Sequence, residues 1–301
     1  MLIKLAKKIG FCFGVKRAVT MAEEALKTKG RIYSLGSIIH NREVVRALSK
    51  KGLKVIKDTA RIRRGTIIIS SHGLSPRVAL EIRRRGLEII DTTCPFVRKA
   101  QAAVKLLGQE GYAIVVVGDA NHPEIKALVD FVPKNIFVVK NRGDIRKLGL
   151  KKTDRVSVIS QTTQSTKNFL DVVKALAAKG FREFGVYNTI CKDAEARQSY
   201  AKSLAREADL MLIIGGRDSA NTNRLFEVCR NLSKESHLIE TEKELKDAWL
   251  KSARVVGITS GASTPDWVIK KVVNKIRSLE RSYSSRSRDE ICTQISKKGV
   301  V

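Results

Sequence analysis

Twenty-eight residues separate Cys12 from His40, Cys94 from His122 and Cys191 from Ser219. A spacing that returns three times marks an internal repeat, and a repeat commits the chain to building one supersecondary unit three times over. Each cysteine stands just ahead of a helical pattern. Val15, Ala18, Val19, Ala22 and Leu26 share one face of residues 14–27; Val97, Ala100, Val104 and Leu107 share one after Cys94; Ala194, Ala201, Leu204, Ala205 and Ala208 fall at similar spacing after Cys191. An apolar run too short for a buried helix follows each, in IYSLGSIIHN, YAIVVVGDANHPE and ADLMLIIGGRDSAN, and reads as a strand of a covered sheet. A second such run closes each unit: TIIISSHGLSP, VSVISQTTQST and VVGITSGASTP, with His72, Thr162 and Ser263 lying 60, 68 and 72 residues after the respective cysteines. Helical patterns follow over 78–85, 167–178 and 267–279. The fold class expected is α/β: three pseudo-repeated units of roughly 80 to 100 residues, each with a mainly parallel sheet.

In parallel sheets the strand ends and the helix starts beyond them collect at one edge, where free N–H groups and the helix dipole favour anions. Three units about a pseudo-threefold axis bring all nine loops to one centre, carrying three thiols and a ring of His, Thr, Ser and Asn. A single buried cysteine is ordinarily a packing residue; three at matched positions are not explained that way. Three thiolates can hold a soft metal centre and leave one coordination position open, as an iron–sulfur cluster with three cysteines does. Zinc is the rival, because His122-Pro123-Glu124 resembles the H-x-E of zinc deaminases, but the P-C-x-x-C those enzymes also need is absent. His40, His72 and His122, with Ser219, Asn221 and Ser263, suit a bound phosphate or diphosphate. There is no P-loop or GxGxxG to indicate a nucleotide. Glu124 is the carboxylate placed to deliver a proton; the alternative is a helix N-terminal charge paired with Lys126. Asp91 and Asp119 read as turn residues, His237 as a packing residue, and Cys229 and Cys292 as ordinary positions.

The net charge of +28 gives a surface that attracts anions, but the excess is spread along the chain rather than held in one arm, and a solvated basic face accounts for it more simply than a dedicated partner. Aromatic residues make up 5% and do not interleave with arginine, so a base-stacking nucleic-acid surface is not expected. A basic nucleic-acid-binding protein with a structural metal site is the competing class, and it would need a fourth ligand. Five cysteines, an odd count without any Cys-x-x-Cys, argue against a disulfide framework. No apolar stretch approaches the ~20 residues of a membrane helix, and MLIKLAKKIG is too short and charged for a secretory signal. A cytoplasmic protein without membrane association is expected, as a monomer or weak dimer.

GFCFGVKRAV, IIHNREVV, SSHGLS, DTTCPFV, HPE, SQTTQS, SANTNRL and GASTPD, in that order, resemble the successive signatures of the 4-hydroxy-3-methylbut-2-enyl diphosphate reductases, the last enzymes of the non-mevalonate isoprenoid pathway. The resemblance covers about residues 9 to 279. It implies a trefoil of three α/β units around one 4Fe-4S cluster per chain, an iron–sulfur cofactor held by Cys12, Cys94 and Cys191 with one iron open to the substrate's C4 oxygen. It implies Glu124, Thr162 and His122 as catalytic residues, Glu124 delivering protons and Thr162 orienting the hydroxyl. His40, His72, His122, Ser219, Asn221 and Ser263 match the diphosphate-binding positions, and the products implied are isopentenyl and dimethylallyl diphosphate; the reduction implied needs an external electron donor, and an acidic ferredoxin or flavodoxin suits the basic surface. On this basis residues 14–95 form the first unit and 96–192 the second. The third comprises 193–280 joined by 1–13, and 281–301 form a basic, disordered tail. One departure is Ala220, where a second serine beside Ser219 is common in relatives; losing that donor costs about 1 kcal/mol of diphosphate affinity.

Overall fold

The computed structural model describes residues 1–132, 134–233 and 235–281. The chain runs β1 (Leu2–Leu5), α1 (Phe13–Thr28), β2 (Ile32–Leu35), α2 (Arg42–Lys50), β3 (Lys54–Ile56), β4 (Thr66–Ile69), α3 (Pro76–Arg84) and β5 (Glu88–Asp91). It continues α4 (Pro95–Gln109), β6 (Ala113–Val117), α5 (Pro123–Val129), β7 (Ile136–Val139), β8 (Arg155–Ser160), α6 (Thr166–Ala177) and β9 (Glu183–Tyr187). The remainder is α7 (Lys192–Glu207), β10 (Leu210–Ile214), α8 (Ala220–Arg230), β11 (Glu235–Ile239), α9 (Asp247–Leu250), β12 (Val255–Ser260) and α10, over residues 266–281.

Three four-stranded sheets result, all parallel, in the orders β3-β2-β4-β5, β7-β6-β8-β9 and β11-β10-β12-β1. The three orders are one topology repeated. In the third sheet the outer strand comes from the chain start, with Leu2 in register with Val255. The tail beyond residue 281, including Cys292, lies outside the described residues.

The two central strands of each sheet are the apolar runs that stand out in the sequence. Successive residues along them point to opposite faces, and both faces are covered. Ile68 packs with Val15, Val19 and Leu48 beneath α1 and α2, whereas Ile67 packs with Ile82 and Leu87 on the α3 side. Val115 and Val117 face one layer and Ile114 and Val116 the other; Leu212 and Ile214 alternate with Met211 and Ile213 in the same way. Each such side chain withdrawn from water contributes roughly 1.5–3 kcal/mol. A covered strand therefore has no solvent face, and the serines these strands carry, Ser34 and Ser157 among them, are themselves buried.

The helices that matter for the site begin at thiols. Cys12, Cys94 and Cys191 are the N-caps of α1, α4 and α7. Proline at the first helical position of α4 supplies a fixed φ where its missing N–H costs nothing. The buried stripes of α1 (Val15, Ala18, Val19, Ala22), α4 (Val97, Ala100, Val104, Leu107) and α7 (Ala194, Ala201, Leu204, Ala205) press onto the sheets and aim all three starts at one place.

Candidate active site

A cavity of about 100 Å³ lies where the three sets of loops meet. All eleven site residues singled out in the sequence line it: Cys12, Cys94 and Cys191; His40, His72 and His122; Glu124 and Thr162; and Ser219, Asn221 and Ser263. Residues up to 223 positions apart in sequence are in direct contact there, since the Ser263 hydroxyl donates to the main-chain oxygen of His40 at 2.9 Å.

The thiols are held by one device used three times. The N–H of Cys94 donates to the carbonyl of Ser71 (3.0 Å), that of Cys191 to Thr162 (2.8 Å) and that of Cys12 to Ala262 (3.0 Å). Each acceptor belongs to the loop after the second central strand of the same sheet, so every helix start is pinned to the loop beside it. All three thiols are free. The Cys12 sulfur accepts the N–H of Val15 at 3.4 Å. Gly14 lies so near Cys94 that a Cβ there would come within 2.6 Å of its Sγ. Burial pushes the Cys12 and Cys94 thiols above their usual range, against the pull of main-chain N–H groups, and neighbouring thiols add to the rise. A thiophilic cation reverses that balance, because a coordinating thiol is deprotonated. Three free sulfurs converging on one cavity fit a cofactor that takes three thiolates.

The imidazoles of His40, His72 and His122 form a second cluster, with ring centroids 4.3, 5.3 and 5.4 Å apart and ring nitrogens within 4.8 Å of one another. Burial holds all three below the ordinary histidine range, and the proximity of the other rings lowers His72 and His122 further; His122 falls to about 4. They are neutral at pH 7 in the absence of an anion. His122 caps α5, its Nδ1 accepting the Glu124 N–H at 3.2 Å, and Ser219 caps α8 by accepting from Thr222. The equivalent cap on α2 is Asn41 rather than His40, so the 28-residue offset drifts by one position in the first unit. His40 Nε2 and both amide atoms of Asn221 are buried with no hydrogen-bond partner. Orphaned buried polar atoms are costly, and at the wall of a cavity they mark where a ligand completes them.

Glu124 is 2% exposed. Its Oε1 accepts the main-chain N–H of Thr162 and its Oε2 the Thr162 hydroxyl, both at 2.7 Å. The carboxyl is thus turned inward to the α6 side, not outward to Lys126. Burial raises it to about 7 despite those two bonds. Asp91 and Asp119 cap local turns, accepting from Thr93 and Asn121. His237 stacks on Trp249 at 3.6 Å, and Cys229 is buried inside α8. Four further residues of the lining, Ser71, Thr163, Asp193 and Ala220, escaped notice or stood as a mere departure. The first three adjoin or lie two residues from a motif residue, and that proximity is the signal by which the sequence could have given them.

Residues 3–277 match the family described as LytB protein. The chain belongs to that family. It is 46% identical over 281 residues to the 4-hydroxy-3-methylbut-2-enyl diphosphate reductase of Pelobacter propionicus, covering 93% of this chain and 99% of the relative. Against the reductase of the same name from Geobacter sulfurreducens the identity is 46%, over 92% of this LytB chain and 98% of the relative. The solved Plasmodium falciparum E-1-hydroxy-2-methyl-but-2-enyl-4-diphosphate reductase superposes with a TM-score of 0.87 at 30% identity, covering 91% and 87% of the two chains. A second solved structure, of (E)-4-hydroxy-3-methyl-but-2-enyl diphosphate reductase, the terminal enzyme of the non-mevalonate pathway, gives 0.68 at 40% identity, covering 92% and 100%. Among the described residues no helix is long and apolar enough to cross a membrane.

Proposed function

We propose that this LytB-family chain reduces (E)-4-hydroxy-3-methylbut-2-enyl diphosphate to isopentenyl and dimethylallyl diphosphate, taking up two electrons and two protons and releasing water. The observation that carries this is a single cavity lined at once by three free thiols, a protonatable buried carboxyl and a neutral imidazole triad. Relatives at 42–46% identity bear the reductase name, which supports the same conclusion. Cys12, Cys94 and Cys191 would hold a 4Fe-4S cluster, which when bound supplies electrons and a Lewis-acidic iron near the hydroxyl.

The remaining chemistry belongs to the chain's own side chains. Hydroxide leaves an allylic carbon badly, and water leaves well, so a proton must reach the C4 oxygen as the bond breaks. Glu124, with a pKa of about 7, keeps a proton over much of the neutral range and can surrender it. Thr162 fixes both carboxyl oxygens, so the proton is delivered from one position. The diphosphate would be gripped by the imidazole N–H groups, by Asn221 Nδ2 and by the Ser219 hydroxyl, whose oxygen already caps α8 while its proton stays available. Ser263 reaches an anion only by turning its proton away from the His40 carbonyl. A lone cation on the imidazoles would leave the Asn221 N–H group with nothing to donate to; an anion satisfies both. The anchored diphosphate fixes the reacting carbon beside the thiols, converting remote binding into orientation. Electrons arrive from an acidic carrier drawn to the basic surface.

Anaerobic purification with iron and sulfide analysis, followed by reduction of the hydroxymethylbutenyl diphosphate with dithionite, tests the assignment. A brown protein that releases the two five-carbon diphosphates is expected. A colourless, zinc-containing protein inert towards that compound overturns it, and salt-dependent oligonucleotide binding would revive the nucleic-acid class.

A further inference from the structure

The largest fully buried side chain in the described residues is charged. Arg197, in α7, is 1% exposed. Its Nε donates to Asp193 Oδ2 at 2.6 Å and its Nη1 to the main-chain oxygen of Ser260 at 3.4 Å. The other oxygen of Asp193 pairs with Lys8 at 3.1 Å. Two cations therefore share one carboxylate, and a guanidinium does not give up its proton to relieve the imbalance. Lys8 is 44% exposed and water screens its charge, whereas the Arg197 guanidinium is buried and is answered in the interior only by Asp193, a carboxylate it shares with Lys8.

The neighbouring cavity is the thiol centre, which becomes anionic when a bound metal centre takes its sulfurs as thiolates. Asp193 stands two residues beyond Cys191 and lines the cavity with all three sulfurs. The Ser260 turn that Arg197 grips also carries Cys12, since Gly10 N–H donates to Ser260 Oγ at 2.9 Å and Cys12 N–H to Ala262 O at 3.0 Å. Arg197 therefore sits where the helix of Cys191, the loop of Cys12 and the end of β12 meet.

We propose that Arg197 is a positioning residue for the cofactor: its buried positive charge favours the reduced, more anionic state of the thiolate-held cluster, and Asp193 moderates it. The inference rests on the three-cysteine cluster assigned above. Three thiolates leave such a cluster negative, and reduction adds one more negative charge, so a fixed cation nearby stabilises the reduced form more than the oxidised one. Holding α7 against β12 requires no charge, for exchanging a buried ion pair as a whole for apolar side chains of similar volume is often neutral or stabilising.

The test is a dye-mediated redox titration followed by electron paramagnetic resonance, on full-length holoprotein loaded and kept anaerobically, with iron and sulfide content measured alongside. Arg197→Met should lower the reduced-to-oxidised ratio at fixed poise about tenfold, a shift of about 59 mV to more negative potential for one electron. Asp193→Asn should move the potential the opposite way, and Arg197→Lys should keep it near the parent value. Opposite shifts support the proposal; no shift, or shifts of the same sign, overturn it, because a merely structural pair would move both variants together. If Arg197→Met does not fold, Asp193→Asn decides alone: a more positive potential supports, an unchanged or more negative one overturns. Absence of any iron–sulfur signal in the unmodified protein defeats the cluster assignment itself, whereas a parent that titrates normally beside unresponsive variants defeats only the role of Arg197.

Discussion

Glu124 is where burial and hydrogen bonding oppose each other, and burial wins, raising its pKa from 4.5 to about 7. Replacing Glu124 by Gln keeps the shape and removes the proton, so the iron content should persist while turnover falls at least about 100-fold, measured in single-turnover assays. A carboxyl whose pKa is raised on folding binds more protons folded than unfolded. Its stabilising effect is complete below pH 4.5 and disappears as the pH climbs to about 7. Urea midpoints of the apoprotein should therefore fall over that window more steeply for the parent than for Glu124→Gln; parallel curves would refute the buried titration. Thr162→Val removes the hydroxyl bond that restrains this pKa, so the alkaline limb of kcat should move to higher pH as the rate falls. The histidines behave in the reverse sense. Burial holds them neutral, so a diphosphate that charges them must bring protons with it, and calorimetry in buffers of different ionisation heat should show proton uptake near neutral pH.

Among the helices, α1 offers the cleanest separation of local stability from site geometry. Gly14 lies in its first turn, where alanine normally stabilises a helix by roughly 0.5–1 kcal/mol. Its missing side chain is also the space taken by the Cys94 sulfur. Gly14→Ala should therefore leave the apoprotein folded, with an unchanged or higher melting temperature, yet lower the iron bound per chain after reconstitution; full iron loading would show that the sulfur has room to move. The elements also explain which parts of the architecture were legible. The six central strands were visible as apolar runs because they are covered on both sides. The outer strands, among them β3, β5 and β9, were not, because they are partly exposed and mix charged or polar residues with apolar ones. A strand whose place depends on pairing at one edge carries little pattern of its own.

The whole molecule carries a formal net charge of +28, spread over three units rather than one arm. Turnover with an acidic electron carrier should fall steeply as ionic strength rises, while turnover with dithionite changes little; equal salt response with both donors would remove electrostatic docking. The nearly complete candidate site was readable before any fold was known, because a threefold repeat ties the cysteines to equivalent helix starts and sets His122 and Ser219 at the next ones, with His40 one residue ahead of its own. What the residues alone could not reveal is contact across the repeat: the Ser263 hydroxyl on the His40 carbonyl, the inward turn of Glu124 to Thr162, and the burial of Arg197 beside Asp193. Local sequence dictates period, cap and strand because these follow from interactions within a few residues. Which side chains meet, and how far a charge or proton shifts when they do, depends on packing among residues dozens to hundreds of positions apart, and that geometry exists only once the three sheets have closed on one another.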